Sequence, residues 1–131
     1  MDLRWIADRR LVRLSIALVW LYQGLWCKVL GGVPHHLAVI SAVPFIGSTG
    51  GRWALQLLGL VECGLGTWVL MGRQLRNAAI AQTLLFLVMN TGGVIWAWRQ
   101  IPDPPGMILQ NFAFVLLIWT TVEVDPHVAN A

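Results

Sequence analysis

Apolar positions along the chain gather into four long runs, broken by short clusters of glycine, proline and charge. The runs cover residues 11–30, 53–71, 77–98 and 107–124. Each is close to the roughly 20 residues a helix needs to cross hydrocarbon. Strict alternation of apolar and polar positions is absent, which argues against a membrane β-barrel. Leu-, Ala- and Ile-rich runs with internal glycines suit membrane helices. The pattern predicts an all-α four-transmembrane-helix bundle with antiparallel neighbours, formed by residues 1–131 as a single integral membrane domain.

The connections are unequal. Residues 72–76 form a tight turn. Residues 99–106 contain Pro102-Asp103-Pro104-Pro105-Gly106, which cannot continue the third helix. Residues 31–52 make the long connection. Within it, the run from His36 to Ile46 is apolar but too short to span, and reads as an interfacial or re-entrant helix ended by Gly47-Ser48-Thr49-Gly50-Gly51.

Composition agrees with this reading. Of the 131 residues, 57% are hydrophobic and 11% charged, against about 25% charged in soluble domains. Four spans leave no room for a soluble catalytic domain. The first run is too long for a signal peptide, and no small-residue cleavage site follows Leu30, so it reads as a retained span.

The net charge of +3 speaks to orientation. With four spans, both termini share a side with the 72–76 turn. That side holds Arg4, Arg9, Arg10, Arg13, Arg73 and Arg76; the other holds Lys28, Arg52 and Arg99. The positive-inside rule then places both termini in the cytoplasm and the chain in the inner (cytoplasmic) membrane. Trp26, Trp53, Trp96 and Trp98 fall near the outer boundary, and Trp5, Trp68 and Trp119 toward the inner one. Trp20 sits mid-membrane. Interfacial belt and interhelical packing both account for this distribution. The basic residues form no aromatic-interleaved patch, so no nucleic-acid partner is expected.

The informative residues are the polar ones inside the spans. Glu62 lies far from either end of its segment. An ionised carboxylate facing lipid is costly, so it should face the bundle and have a partner. Counting down from the outer boundary, Glu62 is ~13 Å deep, Gln23 ~10 Å and Asn90 ~12 Å, with Gln110 and Asn111 shallower. Lys28 is ~3 Å deep, but its stem can carry the ammonium toward Glu62. The expectation is a polar cluster in the outer half, with Glu62 at its base and Lys28 at its mouth. Interhelical glue and a functional pocket, for a quinone or lipid ligand, both remain open.

Gly59 and Cys63 make a small-xxx-small pair on the second segment, and Gly24 precedes Lys28 by one turn, so close helix approach is expected. Cys27 and Cys63 differ in depth by ~10 Å, too far for a disulfide, and read as buried, inert thiols. They form no metal-binding motif. His35 and His36 sit at the outer end of the first segment. They are candidate ligands for a metal or pigment, but with no second ligand pair a solvated loop is the simpler reading. His127, in a polar tail, is uninformative.

Three stretches carry a family resemblance. Leu18-Val19-Trp20-Leu21-Tyr22-Gln23-Gly24-Leu25-Trp26-Cys27-Lys28-Val29-Leu30 resembles the opening helix of the DoxX-like family. Gly59-Leu60-Val61-Glu62-Cys63-Gly64-Leu65-Gly66 resembles its second helix, and Pro105-Gly106 followed by Gln110-Asn111 its approach to the fourth. The resemblance covers about residues 10–125. It implies a small four-helix membrane protein, related to subunits of thiosulfate:quinone oxidoreductase and of a terminal quinol oxidase. Lys28, Glu62 and Asn111 are the shared polar residues it carries over. Where the family commonly has an acidic residue before the first-helix glycine, this chain has Gln23, which removes one negative charge from the pocket.

Size, short loops and the lack of a cofactor or catalytic motif point to a non-catalytic accessory or assembly subunit of a larger membrane redox complex. The alternatives are a quinone-interacting oxidoreductase subunit, with Glu62 handling protons and Lys28 stabilising an anionic reduced ligand, and a small-solute transporter built by dimerisation. Whether the chain is an enzyme stays open at this point.

Overall fold

A computed structural model of the chain describes residues 9–123. Arg4, Trp5 and His127 therefore lie outside the described residues. The described chain is all helical. The first helix, α1 (Arg9–Leu21), continues without a break into a π-helical stretch, Tyr22–Val29. A short α2 (Pro34–Ser41) follows, then α3 (Gly47–Met71), α4 (Leu75–Trp96), a 3-10 turn (Trp98–Gln100) and α5 (Pro104–Glu123). Helices α3, α4 and α5 are each long and apolar enough to cross a membrane; α1 with its π-helical continuation, bent by 78° into α2, supplies the fourth span.

Two boundaries differ from the sequence reading in an instructive way. The run Gly47-Ser48-Thr49-Gly50-Gly51 does not end α2; it forms the first turns of α3. The stop comes earlier, at Ala42, because Pro44 disfavours helical backbone at Val43. Glycine-rich sequence reads as loop, but Gly51 is buried against Ser41, so α2 folds back on the start of α3 at a point where a side chain would not fit. Likewise Pro104 and Pro105 open α5 rather than precede it. Proline lacks the N–H that a first turn leaves unsatisfied anyway, and Asp103 Oδ1 accepts a hydrogen bond from the Gly106 N–H at 3.2 Å.

The bundle is tight at one end and splayed at the other. The tight end carries Arg9, Arg10, Arg13, Arg73 and Arg76, and the Arg13 guanidinium packs on Gly72 in the α3–α4 turn. Here Ile16, Trp20, Leu65, Val69, Ala79 and Ile118, drawn from all four long helices, make a dry core. Trp20 is its keystone. It is 1% exposed and donates its indole N–H to Gln82 Oε1 at 2.7 Å, while Gln82 Nε2 donates to the Ala78 carbonyl at 3.0 Å. That explains a tryptophan in mid-membrane: it packs between helices. Trp119 similarly donates to Thr83 Oγ1 at 2.9 Å, tying α5 to α4. By contrast Trp26, Trp53, Trp96 and Trp98, at the far end, are exposed, as an interfacial belt requires. Replacing Gln82 by Leu leaves the Trp20 N–H unpaired in the core. We expect a loss of about 1–3 kcal/mol, read as a lower unfolding midpoint in detergent, with little change for Gln74→Leu in the exposed turn.

At the splayed end, which we call distal, α1 and its π-helical continuation pair with α3, α4 pairs with α5, and a cavity separates the two pairs. Close approach of the first pair is enforced by glycine. A Cβ on Gly24 would stand 2.5 Å from the Gly59 carbonyl oxygen, and one on Gly59 2.7 Å from that of Gly24. Cys63 borders the same contact, and both cysteines are free thiols.

Candidate functional site

The space between the splayed pairs is a cavity of about 740 Å³, floored by Trp20, Phe86 and Phe114. These three rings meet tilted or edge to face, with centroids 4.9–6.0 Å apart. The wall is mostly apolar. It is interrupted by the polar residues singled out in the sequence: Gln23, Lys28, His35, His36, Glu62, Asn90 and Asn111 all line this one cavity, as do Gln110 and Asp103.

The residues reach it by different routes. Lys28 sits in the π-helical stretch, where Leu30 N–H bonds to the Leu25 carbonyl at 2.8 Å, five residues back. Such a turn widens the helix and shifts the facing of the residues that follow it. Lys28 is consequently buried, 8% exposed, near the end of a helix where lysine would ordinarily reach for water. Its stem runs over Gly59, where the missing side chain leaves room, and its Nζ comes within 2.9 Å of Glu62 Oε2. Glu62 is 1% exposed. The contact is a close ion pair, and among the described residues it is the one polar contact of the Glu62 carboxylate. Lys28 Nζ has one further contact, to the Gln23 carbonyl at 3.5 Å.

Across the cavity, α5 and α4 are joined by a second polar pair: Asn111 Nδ2 donates to Asn90 Oδ1 at 2.8 Å. The cluster is thus two pairs on facing walls, one charged and one neutral. Gln23 borders the first without a side-chain hydrogen bond among the described residues. Gln82, the partner of Trp20, was not singled out from the sequence, because counting depth from the far boundary selects only one half of the bundle.

Helix α2 lies over the distal mouth. Gly31 and Gly47, both with positive φ, turn the chain into and out of this segment. His35 is exposed, with its ring edge-on to His36 at 4.6 Å. His36 is half-buried, and its Nδ1 is fully buried without a hydrogen-bond partner. Among the described residues no group of three or more His, Cys, Asp or Glu side chains could hold a metal.

The eight-residue α2 is too short to span, and the ionisation of His36 bears on how firmly it covers the mouth. Burial, with the Lys28 charge and His35 adding to it, pushes the His36 imidazole down to about 4 from 6.5. The covered state therefore holds His36 neutral. Between pH 6.5 and about 4 an opened state takes up the proton that the covered state resists, so the cover is firm at neutral pH and loosens as pH falls below 6.5. We expect protection of the α2 amides, corrected for intrinsic exchange, to drop severalfold from about pH 7.5 to about pH 5, and not to drop in His36→Phe.

The model of the DoxX-like family matches residues 17–119. The chain belongs to the DoxX-like family. The matched stretch of this DoxX-like protein contains every residue that lines the cavity. No curated protein and no solved structure matches it.

Proposed function

We propose that this DoxX-like membrane protein binds a small amphipathic ligand, of quinone or lipid type, in the distal cavity. The observation that carries the reading is the convergence of Lys28, Glu62, Asn90, Asn111 and His36 on one largely apolar space of about 740 Å³. Ligand sites have this character: roughly 300–1,000 Å³, apolar walls and a few placed polar groups. The alternative use of such residues, as interhelical glue, accounts for Asn90 and Asn111 but poorly for Lys28 and Glu62. Burying two charges costs several kcal/mol per ion, and an apolar pair holds helices as well. The Gly24–Gly59 contact already fixes this helix pair. The excess of arginine at the tight end supports cytoplasmic termini in an inner membrane, with the cavity facing outward.

The test is the thermal unfolding midpoint of the purified chain with and without decylubiquinol, kept reduced. The expected result is a rise of several degrees at saturating ligand, abolished in Met89→Trp, which puts an indole into the ligand's space beside Phe86 and Phe114. An unchanged midpoint in the parent protein would contradict the reading for this ligand class.

A second reading, compatible with the first, is supported by α5. Only 11% of its spanning stretch is buried in the bundle, leaving Leu109, Phe112 and Leu116 on an open face. The accessory-subunit reading packs this face on a larger membrane complex in place of lipid. Purification in mild detergent from native membranes should then recover a stoichiometric partner; recovery of the chain alone would count against it.

A further inference from the structure

We infer that the ligand of the distal cavity is an uncharged amphipath whose polar head donates a hydrogen bond, an alcohol or phenol rather than an ether, ester or ketone. The inference rests on the reading of the cavity as a ligand site and names the chemistry of its occupant. Three observations carry it.

The first is an acceptor with capacity to spare. Glu62, 1% exposed, lines the cavity; its carboxylate has about four acceptor positions, and among the described residues the Lys28 ammonium, 2.9 Å from Oε2, is its one polar contact. Buried polar atoms are almost always satisfied, and an ionised carboxylate can only accept. What satisfies it must carry a donor. The second is His36, whose Nδ1 is buried and unpartnered where α2 closes the same cavity. A neutral imidazole offers one accepting and one donating nitrogen, so a hydroxyl suits it in either tautomer. The third is charge. Lys28 and Glu62 stand 2.9 Å apart and offset each other. A cationic head entering beside them meets Lys28, and an anionic head meets Glu62. The amides of Asn90 and Asn111 opposite are neutral.

Lys28 refines the choice. An ammonium has three donors; one is directed at Glu62 and one, at 3.5 Å, at the Gln23 carbonyl. The remaining donor wants an acceptor. A hydroxyl donates to Glu62 and accepts from Lys28 at one oxygen, whereas an ether or ketone does only the second. The rest of the molecule is apolar, since Leu58, Leu85, Phe86, Met89 and Phe114 supply the remaining wall, and about 740 Å³ holds a ring together with a tail.

The test compares para-octylphenol with para-octylanisole, which differ by one methyl on the head oxygen. Affinity is read from the concentration dependence of the thermal unfolding midpoint in detergent. The parent protein should bind the phenol roughly tenfold or more tightly than the anisole. In Glu62→Gln the preference should shrink. The double variant Lys28→Met with Glu62→Met removes both charges at once, so it keeps the test alive if the single variant fails to fold; there the ratio should fall to about one to two. Equal affinity for the two probes in the parent protein overturns the donor inference while leaving the cavity a ligand site. A preference that survives in the double variant also overturns it. Binding of neither probe overturns the ligand site itself, and this inference with it.

Discussion

Lys28→Met should be the most damaging single substitution in the distal half, lowering stability by about 3–5 kcal/mol. The reason is asymmetry. The substitution keeps the apolar stem but leaves Glu62, 1% exposed, as a lone charge among Leu58, Phe86 and Phe114 on the cavity wall. The second substitution, Glu62→Met on the same chain, should recover most of the loss, because a methionine pair needs no charge partner. Unfolding in detergent, followed by helical circular dichroism, gives the three values. A double variant no better than Lys28→Met alone would show that the two residues are not energetically coupled. If instead both single variants are near the parent, the pair is open to water and is not held in a low-dielectric wall.

Gly24→Ala and Gly59→Ala carry the second large effect. In each, the new methyl meets backbone, the carbonyl oxygen of the facing glycine, at 2.5 and 2.7 Å. Backbone cannot rotate away as a side chain can, so the first helix must move off α3, at a cost of about 1–3 kcal/mol. The effect should reach function as well as stability. The Lys28 stem runs over Gly59, and a methyl there stands 3.0 Å from the Lys28 Cβ. Gly59→Ala therefore displaces the ammonium from Glu62 and should weaken ligand binding by about tenfold, where Gly24→Ala acts chiefly on stability. Gly64→Ala is the control. A Cβ there meets nothing within 4 Å, and helix propensity alone predicts a gain of up to about 1 kcal/mol. Losses of similar size at all three positions would point to general helix effects and remove the special status of the Gly24–Gly59 contact.

Much of this arrangement is legible in the residues because hydrocarbon is an unforgiving solvent. Long apolar runs with short breaks allow few solutions other than spanning helices, and the structure has them. A carboxylate in mid-span must turn inward and find a cation, which made Glu62 and Lys28 readable as partners before any coordinates. Asn90 and Asn111 were readable as polar groups in the outer half, Asn111 the shallower, but not as a pair to one another. Other features leave no such trace. The π-helical stretch Tyr22–Val29 has no propensity signature, yet it belongs to the segment that brings Lys28 inside. Gly47 and Gly50 look like loop and are helix, since the fold needs small residues where α2 returns against α3. Gln82 is as buried as Glu62, but a neutral amide in a span announces a hydrogen bond and not its partner. The cavity is the least legible of all. It is made of what is missing, the space left between the two helix pairs, and no residue encodes an absence of contact.

That cavity is also where the functional account is most exposed. Native mass spectrometry of the chain released gently from the membrane in which it is made measures it directly. The account predicts one small neutral amphipath bound per chain, lost when the indole of Met89→Trp obstructs the space. A chain released with nothing bound under conditions that keep it folded, or an adduct that persists in Met89→Trp, would contradict it.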